Sequence, residues 1–365
     1  MNKPRATIAY GRYVLVILLG VYVSILNHHT TNGLDYGSNE AMHEAFIEGQ
    51  EPSSTLHSSD WYDTWAIDLL ARVEDLFLAL ETRPVQSVSS PEFRMMSSSE
   101  TFQVAMIGDS TMRMQADGLF AILSGITTET GERRCPCTTH KEPCLCSRSG
   151  ENRNGSALLQ IDYYKVEETC VASEVVANFV YFGCGLHILQ RHPSRPMTED
   201  SLQSWTQYER ILENGVLAYR SSGSARGGYL GEAFMSTHSI LIEKLEDPML
   251  GEILAYARGD DMALSQCYEK VEELKRSMKG FVFDIPPEDI CKRGYFADEC
   301  VVALNKRGKE MMRRLGVPIV PSYEITLNQP WATPKADGRH YVPLIPHELA
   351  NFLGIINMAL REEKL

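Results

Sequence analysis

Residues 102–113 read FQVAMIGDSTMR, so a short apolar run leads directly into Gly-Asp-Ser and then into a helical pattern. The run predicts a buried strand at 102–107, and the pattern after it predicts a helix at 111–123. Gly108 permits a tight turn between them. Open α/β folds bind ligands at the carboxyl edge of the sheet, where such a turn lies. The stretch therefore predicts that Ser110 faces a site.

Two roles are open for Ser110. As a nucleophile it would attack an ester carbonyl, and N–H groups at the helix N-terminus, including its own, would stabilise the oxyanion. As a structural residue, either Ser110 or Asp109 would cap the helix. The stretch alone leaves both interpretations open, and a distant base is needed to favour the first.

The sequence Asp337-Gly-Arg-His340-Tyr offers that base. A serine nucleophile needs a general base such as a neutral imidazole, and the imidazole needs a carboxylate to orient it. Asp337 and His340 can supply both groups from one tight turn at the carboxyl end of a predicted strand. We therefore predict that Ser110 Oγ lies near hydrogen-bonding distance of a His340 ring nitrogen. A surface loop histidine is the alternative.

A third block, YFGCGLH at 181–187, also places glycines at the end of a predicted strand. The backbone N–H of Gly183 or Gly185 is a candidate second oxyanion donor. His187 could contact substrate or orient its loop, although simple packing is as good an interpretation. An ordinary strand-ending turn is the alternative for the whole block.

Elsewhere the chain alternates between strand-like and helical patterns, with a Cys-rich loop expected at 130–155. The strand-like runs are 102–107, 157–166, 175–182, 280–284 and 317–325. The helical patterns after 111–123 are 199–217, 241–279 with breaks near Pro248 and Gly259, 301–315 and 347–361. This alternation predicts an α/β fold, a three-layer sandwich around a mostly parallel central sheet.

The N-terminal region predicts a membrane anchor. Basic residues precede an apolar run, so 8–26 is expected to be a signal anchor with a cytoplasmic tail at 1–7. A cleaved signal peptide is the alternative, and both deliver the remaining chain to the secretory lumen. Residues 27–100 are expected to form a stem with a linker. A helix at about 59–83 should dock on the main domain, 101–365, rather than form a coiled coil.

Nine cysteines fit an oxidising compartment. Four of them crowd into Cys135-Pro-Cys137 and Cys144-Leu-Cys146, where we expect disulfide bonds. A four-thiolate zinc site is the alternative, but its cysteine pairs are usually separated by about two to four residues. The sequon Asn154-Gly-Ser predicts a surface glycan.

A formal net charge of −13 and the lack of a long basic run argue against nucleic-acid binding. The predicted chemistry uses side chains and backbone N–H groups of the protein, without a cofactor or a metal.

Together these blocks resemble the SGNH/GDSL hydrolase superfamily. They are most similar to its PC-esterase group, which includes the trichome-birefringence-like glycan O-acetyltransferases. Arg113 completes the group's opening Gly-Asp-Ser-x-x-Arg, and the resemblance extends over roughly 101–362. The other matching blocks are 185–187, 317–320, 323–326 and 337–341.

The resemblance implies an SGNH-like fold and a triad of Ser110, Asp337 and His340. It implies a single-pass type II Golgi protein, secreted in the alternative case. Its lumenal domain is expected to pass an acyl group, acetyl in this group's chemistry, from a small donor to a glycan or glycoprotein hydroxyl. An ester hydrolase with the same triad is one alternative. An inactive binding protein is another, because the Gly-x-Asn-Asp block of these enzymes is missing and 281–287 stands in its place. Arg113 is expected to brace the helix or a loop.

Overall fold

The protein was analysed as a computed structural model. The structure describes residues 58–81, 101–126, 128–129, 144–151, 158–166, 172, 175, 177–183, 186, 199–226, 229–277, 286–292, 298–333 and 337–362.

These residues form one seven-stranded sheet in the order β2-β3-β4-β1-β5-β6-β7. The five strands from β4 to β7 in this order run parallel, and β2 and β3 join the edge antiparallel. The strands are β1 Thr101–Gly108, β2 Thr128–Glu129, β3 Cys144–Glu151, β4 Leu158–Lys165, β5 Phe179–Phe182, β6 Gly231–Met235 and β7 Ile319–Val320. The predicted α/β class with a mostly parallel sheet is confirmed.

Helices separate most of the parallel strands along the chain. They are α1 Ser58–Glu81, α2 Ser110–Ile126, α3 Glu199–Arg226, α4 Leu250–Ala257, α5 Asp261–Ser277, α6 Pro287–Cys291, α7 Asp298–Leu315, α8 Ser322–Thr326 and α9 Ile345–Glu362. Three 3₁₀ turns, Ile242–Lys244, Pro330–Ala332 and Val342–Leu344, complete the described elements.

Apolar residues of β1 face both sides of the sheet in alternation, so the strand contributes to two cores. Val104 and Met106 pack with side chains of α1, α2 and α9. Ala105 and Ile107 pack with side chains of α3, α4, α5 and α7. Each large apolar side chain buried in this way contributes roughly 1.5–3 kcal/mol to folding. The sheet is therefore covered by helices on both faces.

Helix α1 docks on the main domain, as expected, where it packs with α9 in the core on one face of the sheet. Its apolar stripe includes Leu69, Val73 and Leu76, which are buried in the same core as Ile356 and Leu360 of α9. The Asn357 side chain also donates a hydrogen bond to the Arg72 carbonyl, at 3.2 Å. The spacing of the stripe, three or four residues, matches one face of a helix.

Several predicted elements are confirmed with small shifts in their ends. These are the strands at 102–107 and 157–166 and the helices at 111–123, 301–315 and 347–361. The helix predicted at 199–217 begins at the predicted residue but extends nine residues further, to Arg226. The helical pattern at 241–279 contains α4 and α5, with Pro248 before the first and Gly259 between them. Among the described residues of the strand predicted at 175–182, Phe179–Phe182 form strand β5 and the others lie outside it.

Three predictions about the sheet were wrong or incomplete. The loop predicted at 130–155 contains strand β3. The strand predicted at 317–325 is extended only at β7, because Pro321 interrupts it and α8 follows. Strand β6 was not predicted at all. Its five residues, GEAFM, are too few to show a period clearly.

A disulfide joins Cys267 of α5 to Cys291 of α6, with the Cα atoms 5.8 Å apart. It ties together two helices that lie on either side of residues 278–285. The disulfides predicted for the cluster from Cys135 to Cys146 involve side chains that the structure does not describe. The sequon, the strand predicted at 280–284 and the anchor predicted at 8–26 lie outside the described residues. Within the described parts of the chain, no helix is long and apolar enough to cross a membrane.

Candidate active site

Ser110 is the first residue of α2 and lies at the carboxyl end of β1, next to the centre of the sheet. The buried Asp109 caps the helix, because its Oδ1 accepts a 2.9 Å hydrogen bond from the Thr111 N–H. The Tyr163 hydroxyl lies 2.9 Å from the Asp109 carbonyl oxygen. Capping is thus done by Asp109, and the Ser110 hydroxyl is left for another partner.

Gly108 makes the turn compact. A Cβ at this position would lie 2.7 Å from the Gly183 carbonyl oxygen and 2.8 Å from Met112 Cβ. Both distances are shorter than a van der Waals contact, so a larger residue would push α2 away from β5. The glycine therefore fixes where Ser110 stands relative to the sheet.

The predicted contact between the distant blocks is present. Ser110 Oγ lies 3.0 Å from His340 Nε2. On the other side of the ring, His340 Nδ1 lies 2.9 Å from Asp337 Oδ2 and 3.0 Å from Oδ1. Residues 230 positions apart therefore form one Ser–His–Asp line of hydrogen bonds. Such a line lets the carboxylate fix the tautomer of the imidazole, whose other nitrogen then faces the hydroxyl as a base.

The turn that carries Asp337 and His340 is held by its backbone. Gly338 has a φ of +61°, a conformation that residues with a Cβ rarely adopt. Its carbonyl accepts a 2.9 Å hydrogen bond from the Leu241 N–H. A Cβ on Gly338 would stand 2.5 Å from the Leu241 carbonyl oxygen. The segment after β6 thus packs closely against the turn and helps to fix the position of His340 relative to the sheet.

Electrostatics keep Asp337 ionised. Burial alone would raise the pKa of Asp337, but the hydrogen bond and charge of His340 and the charge of Arg339 outweigh it, so the pKa lies below its ordinary value. Arg339 Nε stands 3.5 Å from Asp337 Oδ1. An ionised Asp337 can accept the His340 Nδ1–H and stabilise an imidazolium when the base takes up a proton.

The prediction that the Gly183 N–H can serve as an oxyanion donor was wrong. The Gly183 N–H already donates a 3.0 Å hydrogen bond to the Ile107 carbonyl, as a continuation of the β1–β5 ladder. It is therefore occupied. Gly185 and His187 lie outside the described residues. The Ser110 N–H belongs to the first turn of α2, where N–H groups have no acceptor within the helix, and stays a candidate donor.

Arg113 lies one turn further along α2 and is partly buried. Its backbone N–H donates to the Asp109 carbonyl at 3.0 Å, which closes the first turn of the helix. This position, beside the serine but within the helix, is compatible with the bracing role expected for Arg113.

Comparison with known proteins assigns the chain to no family: no protein-family model matches it, and no curated protein does. The site must therefore be interpreted from its own geometry.

A buried polar cluster under the site was not predicted. It consists of His238 after β6, Glu348 in the first turn of α9 and Gln115 of α2. The only sequence signal is the run Ser-Thr-His-Ser at 236–239, all four of which are buried despite being polar. Four polar residues directly after a strand are typical of a loop, so nothing in the pattern indicates their burial.

Within the described ranges, no group of three or more His, Cys, Asp and Glu side chains is placed to hold a metal ion. Cys135 and Cys137 lie outside those ranges, so the zinc alternative for the cysteine cluster stays untested. The arrangement at the sheet edge can act through its own side chains, as a hydroxyl nucleophile with an oriented base.

Proposed function

We propose that the chain is a serine-dependent acyl-transfer enzyme in which Ser110 carries the acyl group. One observation carries the proposal: Ser110 Oγ lies 3.0 Å from His340 Nε2, while Asp337 binds the opposite ring nitrogen. The position of the serine adds support, because it stands at the N-terminus of a 17-residue helix, whose dipole favours a developing negative charge.

The proposed reaction has two steps. In the first, Ser110 Oγ attacks the ester carbonyl carbon as its proton passes to His340 Nε2, and the Ser110 N–H stabilises the oxyanion. Collapse of this intermediate expels the donor alkoxide, which takes the proton from His340. In the second step His340 deprotonates an acceptor hydroxyl, whose oxygen attacks the acyl-serine. The Ser110 oxygen leaves as the intermediate collapses and takes the proton back from His340. Asp337 stays ionised throughout and supports the imidazolium.

For the acceptor, we propose a glycan or glycoprotein hydroxyl, by the resemblance to the PC-esterase group of SGNH enzymes. The strand-to-helix serine and the Asp-x-x-His turn before the C-terminal helix are compatible with that kinship. With water as the acceptor, the same residues would make the protein an ester hydrolase. The His340 side chain is 27% exposed, so either acceptor can reach it.

We also propose that the reaction takes place in the secretory lumen, with the domain held there by an N-terminal anchor. The Cys267–Cys291 disulfide supports this compartment, since disulfides persist mainly in oxidising environments.

A fluorophosphonate probe tests the nucleophile. Wild-type protein should be labelled in a 1:1 ratio, Ser110→Ala should not be labelled, and Ser265→Ala, which changes an exposed serine of α5, should be labelled like wild type. Equal labelling of Ser110→Ala and wild type would overturn the proposal.

The acceptor needs a second experiment. The purified protein is incubated with an acetyl ester in the presence and absence of oligosaccharide, and acetylated glycan and free acetate are measured. Acetylated glycan that disappears in Ser110→Ala supports the transferase. Acetate as the only product identifies a hydrolase.

A further inference from the structure

Directly beneath the Ser110–His340 contact lies a fully buried acid–base pair. His238 Nε2 stands 2.7 Å from Glu348 Oε1, and the two side chains are 1% and 0% exposed. Neither residue takes part in the proposed reaction. A carboxylate is expensive to remove from water unless it is paired and hydrogen-bonded. The presence of one at this depth therefore needs an explanation.

The pair connects the segments that carry the two ends of the Ser–His–Asp line. The second oxygen of Glu348 accepts a 2.7 Å hydrogen bond from Gln115 Nε2, five residues along α2 from Ser110. His238 Nδ1 faces the Arg339 carbonyl oxygen at 3.4 Å, in the turn between Asp337 and His340. Glu348 itself belongs to α9, which follows that turn. The cluster thus spans the serine helix, the histidine turn and the stretch after β6.

Both ring nitrogens of His238 face acceptors, which fits a protonated imidazole. Burial alone would lower the pKa of His238, but Glu348, the Arg339 carbonyl and the charge of Asp109 outweigh it, so the pKa is raised. The charged groups facing the ring are thus the carboxylates of Glu348 and Asp109. The Tyr341 ring packs edge-on against the imidazole, with the ring centroids 5.6 Å apart.

We infer that His238 and Glu348 are positioning residues, which hold the turn of His340 at a fixed distance from the helix of Ser110. The inference rests on the proposed function. It follows from the connections: His238 contacts the turn at the Arg339 carbonyl, Glu348 contacts the serine helix through Gln115, and the Ser110 hydroxyl has His340 as its partner. If the pair is altered, the turn should lose its anchor at Arg339 while the strands and helices remain.

The competing interpretation is that the pair only stabilises the fold. Strand β6 offers a matched control at its opposite end. Glu232 is also a buried carboxylate, paired with Arg220 at 2.6 Å, but it lies at the amino edge of the sheet, away from Ser110. Glu348→Gln and Glu232→Gln each replace one buried carboxylate by an amide of the same shape.

The test compares Glu348→Gln, His238→Gln, the double variant and Glu232→Gln, each as the full chain. The temperature is one at which thermal melting shows every variant to be folded. The fluorophosphonate labelling rate at Ser110 should fall at least 10-fold in Glu348→Gln and in His238→Gln, and by less than 2-fold in Glu232→Gln. The double variant at 238 and 348 should label no more slowly than the slower single variant. Equal rates in Glu348→Gln and Glu232→Gln would overturn the inference.

A second readout does not depend on activity. In full-length protein labelled with ¹⁵N-histidine, the His340 ring signals, assigned with His340→Asn, should move in Glu348→Gln but not in Glu232→Gln. Unchanged His340 signals in Glu348→Gln would contradict the inference. Absence of probe labelling in wild type would instead contradict the proposed function alone, and the His340 signals would still test the inference. If Glu348→Gln does not fold, Gln115→Met gives the same comparison, with an expected drop of a few-fold.

Discussion

Each edge of the parallel sheet has a buried carboxylate nearby, but the groups around the two carboxylates differ. At the amino edge, Glu232 is buried and binds Arg220, while the Tyr229 hydroxyl donates to its other oxygen. Arg220 also donates to the Leu315 carbonyl at 2.8 Å. At the carboxyl edge, Glu348 is buried and binds His238 and Gln115. Both carboxylates are satisfied, so burial and pairing alone do not distinguish a reactive edge.

The difference lies in what stands above each carboxylate. The amino-edge cluster ends on an arginine that is 39% exposed and on a helix-terminal carbonyl. The carboxyl-edge cluster lies next to the partly exposed Ser110 hydroxyl and the His340 imidazole. One nitrogen of this ring faces Ser110 and the other faces Asp337. A function is therefore better inferred from the groups that a buried cluster supports than from the cluster itself.

The largest effect that would sharpen this comparison is expected at Asp337. Asp337→Asn keeps the shape of the turn but removes the carboxylate that orients His340, so acyl transfer should fall by about 10⁴-fold. The thermal midpoint should fall only by the small stability that the ionised Asp337 contributes through His340 and Arg339. Esterase turnover is measured beside a melting curve. Near-wild-type turnover in a folded variant would reduce Asp337 to a turn residue.

The backbone of the same turn gives a second, smaller effect. Gly338→Ala places a Cβ on a residue with positive φ and against the Leu241 carbonyl, so activity should fall roughly 10²-fold as His340 is displaced. Gly259→Ala is the matched control, because Gly259 also has a positive φ, +107°, but has open space around it. Its cost should be limited to about 1 kcal/mol of stability, with turnover unchanged. Equal activity loss in the two variants would remove the special status of the turn.

At the amino edge the effect should be on stability alone. Glu232→Gln should lower the free energy of unfolding by about 2 kcal/mol, less than the ~3–5 kcal/mol expected of a fully buried pair, because Arg220 can turn to solvent. Urea unfolding gives the stability, and turnover per folded molecule should match wild type. A large loss of turnover here would break the comparison between the edges.

The smallest effect is a pH dependence at the carboxyl edge. Since the folded pKa of Asp337 is lowered, its ionised form adds stability that is fully present above its unfolded pKa of about 3.9. This stability is lost as the pH falls through the lower folded pKa. The difference in unfolding free energy between wild type and Asp337→Asn should therefore shrink as the pH falls below 4. A difference that stays constant from pH 6 to pH 3 contradicts this.

The sequence predicted the parts of the site that are local. Gly-Asp-Ser followed a clear apolar run, and Asp337 and His340 lay within one turn, so their roles could be argued before any fold was known. The contact of His340 with Ser110 followed from the rule that parallel strands end at one edge. The α/β class followed from the alternation of elements.

The remaining features depend on tertiary packing. His238 and Glu348 are 110 residues apart, and no local pattern pairs them. The sequence could not show that the Gly183 N–H donates to the Ile107 carbonyl, in continuation of the ladder between β1 and β5. Strand β3, CLCSRSGE, is too polar to resemble a buried strand, and Pro321 turned a predicted strand into a short helix.

The spacing of Ser110 and His340 also has a consequence for biosynthesis. Strand β1 and the serine leave the ribosome long before the turn with Asp337 and His340 and before α9, whose Ile356 and Leu360 fill one of the two cores. During translation Ser110 therefore has no His340 beside it, and one face of the sheet is only partly covered. The hydroxyl should stay unreactive toward esters until residues 337–362 have docked, so reactivity would be switched on by the final stage of folding.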